Sequence, residues 1–325
     1  MCRNRTLMYE TIRGFFRARD FLEVETPVLS PSLIPEPSIP YFRTSYDDPF
    51  RVPEPRYLVP SPEVWMKQLL AEGSGNTFQI CKCFRNREAL GTFHNPEFSM
   101  LEWYTTDADY RTNIGVTEDL FGELSGLPDF PGAGNRGAPD VRLPFIRMTM
   151  EEAFREFAGI SLAHCGETGA LAAEGRRLGI DVTPEDSWEQ AFNRIFLTEV
   201  EPRLPSERPL ALMDYPALIP CLAKRIPGTP WLERWELYAR GMEIANCFTE
   251  ETDAGAAADY FRRVSAGNDK ASEAAARAAD PSFAGIFGPE FPACSGVAMG
   301  LDRLLMVLTG AASIDEVLLF PMSKM

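Results

Sequence analysis

The run TFQICKCFRNREALGTFHNPEFSMLEWY, residues 77–104, constrains the fold of this chain more than any other stretch. Phe78, Ile80 and Phe84 fall on even positions, a period of two that predicts a strand. The pattern breaks into Arg85, Asn86, Arg87 and Glu88, Gly91 bends the chain, and apolar character returns at Phe98, Met100, Leu101 and Trp103. The reading is strand, polar loop, strand. Charges at the tip of such a hairpin are tolerated where they face water or a charged ligand. An arginine at the end of a buried strand, with aromatic side chains nearby, suits a phosphate and a flat base.

Composition narrows the classes. A chain of 325 residues allows one large domain or two small ones, and 45% hydrophobic with 24% charged residues is ordinary for a globular protein. No apolar run reaches the roughly 18 residues of a membrane span, and the first residues lack the apolar core of a secretory signal, so a cytoplasmic protein without membrane contact is expected. A net charge of −15 disfavours a stable nucleic-acid complex, since lysine and arginine supply most of that affinity. Seven cysteines and two histidines, with no paired framework, predict reduced thiols. Cys81 and Cys83 share one face of the proposed strand, but no second cysteine pair follows to complete a zinc site.

Along the chain, residues 5–19 predict a helix with Met8, Ile12, Phe15 and Phe16 on one face. An extended segment over 23–28 contains Pro27, and a proline-rich loop covers 30–56. A short strand over 56–60 leads to Ser61-Pro62-Glu63, a helix start with serine as the cap. Helical patches at 149–160, 167–178 and 186–200 predict a helical insertion over about 105–207. Strands are expected at 210–215, 234–244 and 292–301, a helical stretch at 254–278 and a closing helix at 302–308. Without regular strand–helix alternation, this predicts an α+β fold: a mainly antiparallel sheet flanked by helices, in a single domain over 1–325. Neither a G-x-G-x-x-G fingerprint after a strand nor a P-loop occurs.

Binding ATP on such a sheet needs cations for the phosphates, a stacking partner and carboxylates for a metal. Arg85 and Arg303 are the candidate cations, Arg303 opening a helix that itself favours an anion. Phe98 can stack on adenine, Arg303 can cover its other side, and Gly300 leaves room for the nucleotide. Glu243 and Glu250 are the candidate Mg2+ ligands, with one substrate amine as the alternative for both. The set holds no covalent nucleophile. That fits alignment and charge neutralisation by Arg85 and Arg303 as the catalytic devices.

FRNRE, HNPEF and MLEWY resemble the second signature motif of class II aminoacyl-tRNA synthetases in its lysyl form. SGVAMGLDRLLM over 295–306 is similar to the third, and FLEVETPVLSP over 21–31 to the first. Their order and spacing agree across nearly the whole chain. The closest resemblance is to the truncated lysyl-tRNA synthetase-like family that modifies translation elongation factor P. It implies a class II catalytic domain without an anticodon-binding domain, and a homodimer built through the first motif. It also implies ATP-dependent activation of (R)-β-lysine or lysine and transfer to a lysine ε-amino group of elongation factor P. By motif position, Arg85, Asn86, Glu88, Asn95, Phe98, Glu243, Ile244, Gly300 and Arg303 would meet ATP. Ser61, Pro62, Glu63, Tyr104 and Glu250 would hold the amino acid. Ala298 stands where full lysyl-tRNA synthetases usually carry glycine. The chain departs from the pattern at the hairpin tip, one residue longer around Arg87, and at Cys247 and Thr249. Two other readings are a ligase loading tRNA or another carrier and a catalytically silent regulatory paralogue.

Overall fold

The computed structural model describes residues 2–325 except 37, 88–89, 128–129, 131–140, 142, 184 and 267–269. Helix α1 (Cys2–Arg17) is followed by the short strands β1 (Leu22–Glu23) and β2 (Leu29–Ser30). Next come β3 (Phe42–Tyr46), β4 (Glu54–Leu58), α2 (Glu63–Ala71), β5 (Thr77–Phe84), β6 (Glu97–Thr106) and α3 (Tyr110–Ser125). Strand β7 (Ile146–Thr149) leads into α4 (Met150–Ala153), α5 (Thr168–Arg177) and α6 (Trp188–Ile195). Then β8 (Leu210–Pro216), β9 (Trp231–Ala239), β10 (Met242–Thr249), α7 (Ala254–Ser265) and α8 (Lys270–Ala278) precede β11 (Cys294–Gly300) and α9 (Leu301–Thr309).

Eight strands form one sheet in the order β1-β5-β6-β11-β10-β9-β8-β7. Only its two outermost pairs, β1 with β5 and β7 with β8, are parallel. The sheet is mainly antiparallel, as expected, and it is sharply two-faced. One cross-strand row reads Phe78, Trp103, Val297, Cys247, Trp235, and a second reads Ile80, Leu101, Met299, Ala245, Leu237. Between them, on the opposite face, lies Gln79, Glu102, Ala298, Asn246, Glu236. Because successive side chains in a strand point to opposite faces, alternation in five sequences becomes an apolar face and a polar one. The apolar face carries the main core, closed by α1, α3 and α9 through residues such as Phe16, Ile114, Phe121 and Leu304. Full burial of each such side chain contributes about 1.5–3 kcal/mol.

The polar face is bounded at its margins by helices. On one side α2, α7 and the turn of 3-10 helix over Pro281–Ile286 pack around Tyr104 and Leu222. On the other, α4 to α6 bury Leu210, Leu212 and Tyr238 beneath them.

Three expectations change in detail. The stretch 105–207 is not one helical insertion, because α3 belongs to the main core and β7 extends the sheet. The separate helical layer begins at α4 and carries its own apolar cluster. The stretch 234–244 is not one strand. Arg240 and Gly241 both adopt positive φ, 54° and 72°, and turn β9 into β10. Two successive left-handed residues make the tight turn whose twist suits a hairpin, and alternation continuing on both sides hides it from periodicity. The proline-rich stretch contains β3, which joins β2 and β4 in a small three-stranded sheet against Ala278.

Candidate active site

The polar row places two chemically distinct groups on one cleft floor. Gly296, Ala298 and Gly300 alternate onto the cleft side of β11, opposite Tyr104, Glu102 and Met100 of β6. They form a strip of minimal side chains along the middle of the sheet. A methyl group on Gly296 would lie 2.5 Å from the Tyr104 ring and 2.8 Å from Glu250 Oε1, so close approach demands glycine there.

At one end of the cleft stand the cations. The Arg85 guanidinium lies 5.3 Å from the centre of the Phe98 ring, and its Nε is buried without a hydrogen-bond partner among the described residues. Arg303 donates through Nη1 to the Glu243 carbonyl at 2.7 Å and through Nε to the Phe93 carbonyl at 3.1 Å. These two bonds tie α9 to β10 and to the hairpin loop. Burial and the nearby Glu236 carboxylate raise the Glu243 pKa to about 7, while Arg303, Arg85 and Arg234 oppose the rise. Glu236 is held by Arg234 at 2.7 Å and by the Tyr238 hydroxyl at 3.0 Å.

At the other end stand the carboxylates. Lys67 of α2 is fully buried, with Nζ 2.6 Å from Glu63 Oε1 and 2.7 Å from Glu250 Oε2. Burial, followed by Glu63, lifts Glu250 to about 8 although Lys67 pulls it down. Glu102 is 2% exposed, accepts from the Tyr104 hydroxyl at 2.8 Å and is pushed well above the usual carboxylate range by burial. Glu36, raised to about 7 by burial and by Glu63, joins Leu33, Ile34, Pro60, Ser61, Glu63 and Val64 around a small pocket at this end.

The expected site residues sort against this geometry. Arg85, Phe98, Glu243, Gly300 and Arg303 gather at the cationic end, and Glu63, Tyr104 and Glu250 at the other. Ser61 accepts a long 3.4 Å bond from Glu63 N, and Pro62 rather than Ser61 occupies the cap position of α2. Asn86 is bound into the loop, its N–H donating to the Pro40 carbonyl at 2.8 Å. Asn95 uses its side chain structurally, donating to the Glu97 carbonyl and accepting from Met322 N. The Ile244 side chain lies in the core behind the sheet, leaving its backbone beside Gly300. Glu88 falls outside the described residues.

The two carboxylates of the proposed metal pair, Glu243 and Glu250, have different charged surroundings. The charged neighbours of Glu243 are Glu236, Arg303, Arg85 and Arg234, whereas those of Glu250 are Lys67 and Glu63. Glu250 is paired with the Lys67 ammonium and Glu236 with the Arg234 guanidinium, and Glu236 is the carboxylate whose charge acts on Glu243. No cluster of three or more potential metal ligands occurs among the described residues. Glu236 and Glu243 nonetheless suit Mg2+, which takes one or two carboxylates when phosphates and water supply the rest.

Lys67, Glu102 and Glu236 are the site residues that sequence reasoning missed. The spacing of four between Glu63 and Lys67 was a signal, since it puts both on one helix face. Glu102 and Glu236 share strand parity with Tyr104 and Arg234, but only sheet register reveals that they face a cleft. The departures from the motif pattern fall elsewhere. Cys247 and Thr249 turn away from the cleft, Cys247 lying 3.3 Å from the Ser295 hydroxyl and Thr249 accepting from Tyr110 N at 2.9 Å. Arg87, at the hairpin tip, adopts a left-handed φ of 56°, with its N–H on Asn86 Oδ1.

Comparison with known proteins agrees with this arrangement. The sequence profile of the class II tRNA synthetases (D, K and N) matches residues 1–324. The elongation factor P–(R)-beta-lysine ligase of Pasteurella multocida is 34% identical over 311 residues, covering 95% of this chain and 91% of that protein. Its counterpart from Mannheimia succiniciproducens is 33% identical over 318 residues, 97% and 93% respectively. The lysine–tRNA ligase of Pelotomaculum thermopropionicum is 34% identical over 333 residues, and the chain spans 63% of that relative. The chain therefore belongs to the class II tRNA synthetase family, in the lysyl-like branch of the elongation factor P–(R)-beta-lysine ligases, and is an enzyme of the ligase type.

Proposed function

We propose that this enzyme activates (R)-β-lysine, or lysine, with ATP and transfers the aminoacyl group to the ε-amino group of a lysine on elongation factor P. The observation that carries the reading is the cleft with opposite ends: arginines for phosphate and carboxylates for ammonium, joined by a strip of glycine and alanine. A diamino acid laid along that strip presents its carboxylate to the cationic end.

In the first step a carboxylate oxygen attacks the α-phosphorus of ATP, the bond to the β-bridging oxygen breaks, and pyrophosphate leaves. Arg85 and Arg303 neutralise charge on the phosphates, and Phe98 offers its ring to the base. Glu236 and Glu243 would hold Mg2+, which neutralises phosphate charge when bound. Glu63, Glu250 and Glu102, with Tyr104, would take the ammonium groups. In the second step the acceptor amine attacks the activated carbonyl, AMP leaves and the amine nitrogen loses a proton. Catalysis on this reading is alignment rather than covalent participation. The cytoplasm as the place of action and a homodimer as the working form belong to the same proposal, and sedimentation tests the latter.

Support for the acceptor comes from the two elongation factor P ligases, matched over more than nine-tenths of their length. Ala298 lies between Glu102 and Asn246 in the cleft row, where a methyl group trims the space for the substrate backbone. The deciding experiment is ATP–pyrophosphate exchange with α-lysine, (R)-β-lysine and unrelated amino acids, followed by transfer to purified elongation factor P or to tRNA. Exchange with (R)-β-lysine and label on the protein factor is expected. Label on tRNA alone would reassign the acceptor, and no exchange with either lysine would remove the reading. Ala298→Gly is expected to shift preference towards α-lysine by about tenfold, the size of a methyl discrimination.

A further inference from the structure

The ion cluster beneath the carboxylate end holds one more negative charge than it needs. Lys67 is 0% exposed and is the shared partner of Glu63 and Glu250, itself 1% exposed. A structural buried pair is complete with one carboxylate. A second carboxylate on the same ammonium, here the partly exposed Glu63 beside the buried Glu250, adds negative charge without a matching cation. Glu250 Oε2 lies 2.7 Å from Lys67 Nζ as an ion pair, neither carboxylate oxygen has a hydrogen bond of regular geometry among the described residues, and Oε1 has no ion-pair contact either. That free oxygen borders the space left by the missing side chain of Gly296, whose Cβ would stand 2.8 Å from it. Phe248 and Phe287 lie 5.0 and 5.9 Å from Lys67 Nζ and wall the cluster.

Building on the functional reading above, we propose that Lys67 is a positioning residue for amine recognition. It anchors Glu63 and one oxygen of Glu250, so that the other oxygen meets the substrate's ammonium over Gly296. Lys67 thereby sets the preference for an amine-bearing chain over an apolar isostere, without touching the reacting atoms. The titratable groups facing Glu250 are Lys67 and Glu63 of α2, Tyr104 of β6, Cys247 of β10 and Cys294 of β11. Lys67 is the single cation among them. Burial lifts Glu250 to about 8 even with Lys67 in place, so losing that cation pushes the carboxyl higher still, and a higher pH is needed before its free oxygen can take an ammonium.

The test is pyrophosphate exchange by wild type, Lys67→Met and Lys67→Arg, with lysine or (R)-β-lysine and with norleucine, at pH 6.5 to 9.5. Lys67→Met is expected to lower kcat/KM for the diamino acid about 100-fold through KM. Norleucine should change little, the KM for ATP should hold, and the rising limb of the pH profile should move to higher pH. Lys67→Arg should recover part of the loss. Should Lys67→Met fail to fold, Lys67→Met/Glu63→Gln removes both partners of one ion pair and is expected to show the same loss of discrimination. Equal losses for amine and norleucine with an unmoved profile, in a wild type that activates the amine, would overturn the positioning role alone. A wild type that activates neither amine would overturn the functional reading and this proposal with it.

Discussion

At the scale of single residues, glycine and alanine decide what fits. Gly296 is needed for clearance rather than for its backbone angles, because any Cβ there enters the Tyr104 ring and the Glu250 carboxylate. Gly296→Ala is expected to raise KM for the amino acid at least tenfold while leaving secondary structure unchanged, as exchange kinetics and circular dichroism would register. A variant with normal KM would mean that Tyr104 swings aside freely. Arg85, Arg303 and Glu63 are legible in the sequence because each sits in a local run whose chemistry is unusual. Lys67 is not, since a lysine four residues after a glutamate on a helix reads as a solvated ion pair worth a few tenths of a kcal/mol. What changes its meaning is Glu250, brought in from a distant strand end.

At the scale of elements, strand alternation makes most of the sheet readable, and turns and pairings account for the rest. The β9–β10 turn is invisible to periodicity because Arg240 and Gly241 interrupt it for only two residues. Helix α3 falls inside the insertion expected over about 105–207, outside its helical patches, yet its Asn113 makes it part of the main core. That side chain accepts from the Trp103 indole at 3.1 Å and from Thr105 at 3.0 Å, and donates to the Ser295 carbonyl at 3.0 Å. It thus joins β6 to β11 beneath the helix, fully buried. Asn113→Leu should leave Thr105 and the Ser295 carbonyl short of partners and cost about 2–4 kcal/mol. Chemical denaturation would measure this, and a loss below 0.5 kcal/mol would show that water replaces the amide.

At the scale of the whole molecule, the cleft is stored electrostatic strain. Glu250 and Glu243 are held near 8 and 7 by burial, against an ordinary glutamate value of 4.5. Between pH 5 and 8 the unfolded chain has released these protons while the folded one still holds them. Stability therefore falls as pH rises through this window. The free enzyme should lose roughly 5 °C of Tm between pH 5.5 and pH 8, and saturating diamino acid should restore much of it at the alkaline end. Scanning calorimetry with and without ligand would report both, and a Tm flat with pH would show that the two carboxyls are already ionised.

The two-faced sheet also limits how such a protein can change length. Inserting or deleting one residue inside β6, β10 or β11 would exchange the rows, sending Glu102, Asn246 and Ala298 into the oil and Trp103, Cys247 and Val297 into the cleft. Core and chemistry would be lost in one step. Additions are confined to places where no row has yet begun, and the hairpin tip is such a place. Arg87 sits there in one left-handed twist, between the paired frames of β5 and β6.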